Sequence, residues 1–162
     1  MTTTVVCRGR GFTLIELIVT VVIVGILAGT AFPMMELTVK RQREVELQAA
    51  LRQIREGIDA YRRAWDEKKI PRAANESGYP RSLDQLVNGV TDVNSATGAR
   101  IYFMRRIPRD PTIADAAVPA VATWGKRSYA SPPDQPSEGA DVFDVYSLNP
   151  GVALNGVPYR DW

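Results

Sequence analysis

The sequence predicts an α+β fold: a long N-terminal helix, membrane-spanning in its first half, packed on a small antiparallel β-sheet head. Three observations predict it. A nearly uncharged apolar run occupies Phe12 to Met35, an apolar stripe at helical spacing runs from Leu47 to Trp65, and two strand-like segments flank a proline-rich loop near the end. The 162 residues suit one domain. With no His, the chain has no imidazole base, no His-based triad and no zinc site of the usual Cys/His kind. The lone Cys7 lacks an internal disulfide partner, and no apolar run precedes it, which argues against a lipoprotein. Twenty Lys+Arg against 18 Asp+Glu gives too weak a balance for nucleic acid, which needs a clustered basic face.

The first element is the run from Phe12 to Met35, whose only charged side chain is Glu16. A bilayer needs about 20 helical residues at ~1.5 Å each, so the run is long enough to span. Arg8 and Arg10 are the only charges before it and hold that side in the cytoplasm, so the remainder is exported. A cleavable secretory signal would be shorter and end in small residues, whereas Pro33, Met34 and Met35 close this run. Glu16 is the anomaly, because a carboxylate inside a span costs ~2.5–3.5 kcal/mol. Either it is wetted near the interface, or it meets a cation at its own depth. The segment offers no Lys or Arg. A free α-amino group of a neighbouring chain, cut just before Phe12, would serve.

The segment Gly11-Phe12-Thr13-Leu14-Ile15-Glu16, after a short basic leader and before an apolar run, resembles the class III signal of type IV pilins and type II secretion pseudopilins. The resemblance implies that a membrane prepilin peptidase cuts after Gly11 and methylates the new N-terminal Phe12, leaving residues 1–11 as the removed leader. Glu16 then neutralises the α-ammonium of the adjacent subunit, so that two charges costly in lipid become tolerable together. Gly25 and Gly29 form a small-xxx-small pair that suits close helix approach, although Gly is common in membrane helices in any case. Pro33 removes a backbone donor and loosens the helix, and the resemblance makes Gly25 to Pro33 the stretch that unwinds in a filament.

The amphipathic helix occupies 36–69. Leu47, Leu51, Ile54, Ile58, Tyr61 and Trp65 line one stripe, while Arg52, Arg55, Glu56, Asp59, Arg62, Arg63 and Asp66 are expected to face water. Without clear charge pairing beside it, the stripe suits packing on a head better than a coiled coil. The head occupies 70–162. Pro71, Pro80 and Asn75 to Gly78 mark a loop, and Ser82-Leu83-Asp84-Gln85 reads as a capping box opening a short helix that stops at Asn88-Gly89. Asp92 to Ala99 is polar and exposed, Ile101 to Met104 docks on the core, and Arg105 to Pro111 reads as a rigid structural linker. Strands are expected at Lys126 to Ser131 and Asp141 to Leu148, with Phe143, Val145 and Ser147 on one face, and Tyr159 and Trp162 tucked against the sheet.

The order of head parts resembles the G-type major pseudopilins, through Arg106-Ile107-Pro108-Arg109-Asp110-Pro111 and Asp144-Val145-Tyr146-Ser147-Leu148. One departure concerns calcium, which the resemblance places in an acidic C-terminal loop. From Asn149 to Trp162 the only carboxylate is Asp161. With the Leu148 carbonyl as its companion, it makes a weak calcium candidate, so no cofactor is expected.

The resemblance implies a structural subunit of a type II secretion pseudopilus, held in the bacterial inner membrane with its head in the periplasm. Its partners are the prepilin peptidase, further copies of itself, minor pseudopilins, and an assembly platform with its ATPase. Three alternatives stand beside it. A type IV major pilin commonly carries a C-terminal disulfide, and the mature chain here has no Cys. A minor pilin often lacks the glutamate present here as Glu16. A single-pass tethered enzyme or binding protein finds no acid/base dyad or phosphate-cradling Gly loop to support it.

Overall fold

The computed structural model describes residues 11–74 and 76–162, without the side chains of residues 30–33. The leader with Cys7, Arg8 and Arg10 lies outside the described residues, as does Asn75. The element order is α1 (Leu14–Asp66), α2 (Asp84–Asn88), β1 (Val90–Thr91), β2 (Arg100–Ile101), β3 (Trp124–Arg127) and β4 (Asp144–Ser147), with 3-10 turns at Ala120–Thr123 and Tyr159–Asp161. The chain divides into two compact units, Met1–Val39 and Lys40–Trp162.

The first unit owes its helix to a largely apolar sequence, in which the Thr20 and Thr38 hydroxyls donate back to Leu17 O and Met34 O along the same helix. Its side chains find no core of their own: the described apolar residues from Phe12 to Val39 are all exposed. By length and composition this part of α1 is able to cross a membrane. The helical assignment continues through Pro33, where a loosened backbone is expected from sequence.

The second unit is built on the stripe. Leu47, Leu51, Ile54, Ile58 and Tyr61 are buried, and Trp65 is half-buried beside them. The helix stops at Asp66 and not at Lys69. The reason is a Schellman cap in which Lys68 adopts φ 58°, with the Lys69 N–H bonded to Ala64 O (2.9 Å) and the Lys68 N–H to Trp65 O (3.1 Å). Ile70, almost fully buried, then turns the chain into the core.

Two small antiparallel sheets replace the single one expected. β1 pairs with β2 through Val90↔Ile101 and Thr91↔Arg100, and β3 pairs with β4 from Trp124↔Ser147 to Arg127↔Asp144. The second hairpin starts earlier and ends sooner than its sequence signal. Trp124 enters it because the indole donates to Pro108 O (2.8 Å). β3 ends at Arg127 because Asp141 accepts from the Ser128 hydroxyl (2.8 Å) and the Tyr129 N–H (2.9 Å), curling the chain away from its partner. Burial pushes the Asp141 carboxyl up, but the hydrogen bonds from Ser77, Tyr129 and Ser128 together hold it below its ordinary value. Val145 and Ser147 face the core as expected, with Phe143 half-buried. Gly125 is required here, since a Cβ would lie 2.3 Å from the Tyr146 ring across the pair.

α2 begins at Asp84, one residue later than a helix capped by Ser82 would. Its N-cap residue is Leu83 with no side-chain cap, and the Gln85 side chain instead accepts from the Arg81 N–H (2.7 Å). Gly89 (φ 70°) stops it as expected. Two arginines expected in water are engaged instead. Arg55 reaches Asp144 (2.8 Å), and Arg62 donates to Ser77 O and lies over the rings of Trp65 and Tyr79.

Candidate functional site

The candidate site is the start of the chain's apolar segment. Gly11, Phe12 and Thr13 precede α1 in irregular backbone, and Phe12 is 78% exposed. Among the described residues nothing lies within 4 Å of a Cβ placed on Gly11, so none of them crowds the Gly11 side of the Gly11–Phe12 bond. A peptidase needs an extended, accessible bond, and a bond inside α1 would have to be unwound first.

Glu16 has a local role that its charge conceals. Its Oε2 accepts from the Thr13 N–H (3.1 Å) and the Thr13 hydroxyl (3.0 Å), while the Glu16 N–H donates back to Thr13 Oγ1 (3.3 Å). This is a reciprocal capping box: two orphan donors of the first turn are satisfied by residues three apart. The T-x-x-E spacing announces it in sequence, but reading Glu16 as a lone charge in oil passes over it. Oε1 has no hydrogen-bond partner among the described residues, so the capped carboxylate retains a face for a cation from outside.

Gly25 and Gly29 lie on α1 one helical turn apart, and a Cβ on either would meet nothing within 4 Å. Their small size answers no packing need among the described residues. Gly57, in the other unit, differs: there a Cβ would lie 2.7 Å from Met104 Cγ. Pro33 lies within α1.

The C-terminal calcium candidates fare differently. Leu148 is half exposed, and Asp161 lies 3.9 Å from the Arg160 guanidinium. Among the described residues no group of three or more Asp, Glu, Cys or His is disposed to hold a metal ion. Calcium wants roughly six to eight oxygen ligands, and this donor set does not fit it.

A residue read in sequence only as part of the R-x-P-x-D-P segment is Asp110, which is fully buried. Its Oδ2 accepts from the Ser147 hydroxyl (2.5 Å), and its Oδ1 accepts from the Thr112 N–H (2.8 Å) and hydroxyl (2.5 Å). The Asp110 N–H donates to Thr123 Oγ1 (3.2 Å). The linker is thus nailed to β4 by a carboxylate that has exchanged water for fixed donors.

Residues 7–32 match the model for the prokaryotic N-terminal methylation motif. The type II secretion system core protein G of Klebsiella pneumoniae is 26% identical over 155 residues, 93% of this chain and 89% of that protein. The chain is thus similar to a G-type secretion core protein and carries a prepilin-type N-terminal motif. No solved structure matches it. The chain has the α+β architecture of a long apolar helix followed by small antiparallel sheets. Its N-terminal apolar helix, the one of such length and composition among the described residues, fits anchoring in a membrane.

Proposed function

We propose that the chain is cut after Gly11, methylated on Phe12 and polymerised through its N-terminal helix into a type II secretion pseudopilus that supports protein export across the outer membrane. The observation that carries the proposal is the run from Phe12 to Met35, whose described apolar side chains are exposed and whose only charged side chain is a capped carboxylate with one oxygen unbonded among the described residues. In lipid, that oxygen gains most from a cation at its own depth, and the trimmed α-amino group of a second copy supplies one. Gly25 and Gly29 admit that copy closely, and Gly25 to Pro33 is the stretch that unwinds as helices pack. The prepilin peptidase, minor pseudopilins and the inner-membrane platform with its ATPase are the remaining partners, and the head lies in the periplasm.

Glu16→Gln and Glu16→Ala separate the two roles of the carboxylate. Gln can retain the capping contacts and loses the charge, whereas Ala loses both. Fibre yield should collapse in both variants, while the helical content of the detergent-extracted monomer should fall slightly in the Ala variant alone. Abundant fibres from Glu16→Gln would reduce the segment to a tether. Mass spectrometry of the wild-type chain should find methylated Phe12 at its N-terminus.

A further inference from the structure

We infer that the C-terminal segment of the head, residues 149–162, is fastened to α1 by the chain's own charged side chains in place of a calcium ion. The G-type resemblance implies an ion at this end of the head, and the donor set fails to fit one. Yet the segment is not left loose. Lys40 Nζ donates to Val152 O (2.8 Å), Glu44 Oε1 accepts from both the Leu154 N–H (2.9 Å) and the Tyr159 hydroxyl (3.0 Å), and Arg55 Nη2 donates to Trp162 O (2.8 Å).

These three residues stand at i, i+4 and i+15 on α1. At about 100° per residue they fall within roughly 60° of one another around the helix, so a single face carries the whole clasp. Its centre is Glu44, which is only 9% exposed. A carboxylate removed from water needs donors, and here both come from the C-terminal segment. The segment is pre-folded to supply them. The Ala153 N–H bonds Val157 O (2.9 Å), the Tyr159 N–H bonds Gly151 O (3.1 Å), and Val152 bridges to Pro158. A calcium ion gathers oxygens from one loop around a positive centre. In this chain a negative centre on the helix gathers N–H and O–H groups from the loop, so the polarity of the fastening is reversed.

The inference does not depend on fibre formation, and a failed fibre assay leaves it standing. The test uses the full chain in detergent. Its thermal midpoint and the rate of proteolytic cutting within 149–162 are compared in excess calcium and in EGTA, for the wild type, Glu44→Ala and Tyr159→Phe. The wild-type midpoint and cutting rate should be the same in both buffers. Glu44→Ala should be cut roughly tenfold faster in both, since it strands the buried Tyr159 hydroxyl and the part-buried Leu154 N–H. If that variant fails to fold, Tyr159→Phe, which removes one hydroxyl, must still be cut faster than wild type. A wild-type midpoint raised by calcium would overturn the inference, and so would wild-type cutting rates in the variant or variants that fold.

Discussion

Two carboxylates show how much one residue can carry and how differently each is legible. Glu16 is conspicuous in sequence because nothing around it is charged, and that prominence hides the ordinary helix-capping contact with Thr13. Asp110 is inconspicuous in a run of arginines and prolines, yet it is fully buried and binds Ser147, 37 positions away. No local pattern encodes a contact at that separation. Replacing Asp110 with Ala strands the Ser147 and Thr112 donors at ~1–3 kcal/mol for each group left unsatisfied. Asp110→Ala should therefore lose at least ~3 kcal/mol of head stability, with Asp110→Asn losing less because it keeps the shape and one acceptor. Thermal unfolding of the detergent-extracted chain measures both.

Among the elements, α1 is the most legible, because an apolar run followed by a stripe at 3.6-residue spacing leaves little choice of structure. Its end is not. Helices commonly close on Gly in the left-handed region, and here Lys68 takes that conformation at φ 58°. The sequence offers no Gly between Gly57 and Gly78 to mark the stop, so the expected boundary drifts to Lys69. A left-handed conformation costs an L-residue roughly 1 kcal/mol relative to Gly. Lys68→Gly should accordingly stabilise the head by up to ~1 kcal/mol, read as a raised thermal midpoint. An unchanged or lowered midpoint would show that the Lys68 side chain contributes as much as its backbone costs. The β hairpins were half legible for a related reason. Val145 and Ser147 alternate correctly, but pairing ends where Asp141 draws the backbone aside, and β1 and β2 are too short to leave a periodic trace.

At the scale of the whole molecule, the division into an exposed apolar unit and a cored unit follows from composition along the chain, and both are readable in advance. What ties the ends of the cored unit together is not, since Glu44 meets Tyr159 across 115 positions. That contact gives the head a pH signature. Burial first, and then the Glu44 carboxylate, push the Tyr159 hydroxyl up from 10.0 to about 12. A raised folded-state pKa favours the protonated form on folding, so its contribution is complete below pH 10 and is lost as pH rises towards about 12. Unfolding in denaturant, followed across that window, should show wild type losing stability more steeply than Tyr159→Phe. Parallel losses would remove Tyr159 from the account.

The cap at Thr13 and Glu16 lies wholly downstream of the Gly11–Phe12 bond, so trimming there leaves the first turn of the helix intact. It would also deposit a fresh ammonium beside the positive pole of its own helix, where the peptide dipoles repel it. With one oxygen of the nearest carboxylate already committed to the cap, the new terminus is badly housed within its own molecule. Proteolysis would thus do more than shorten the chain: it would create a homeless cation whose best lodging is another molecule's helix.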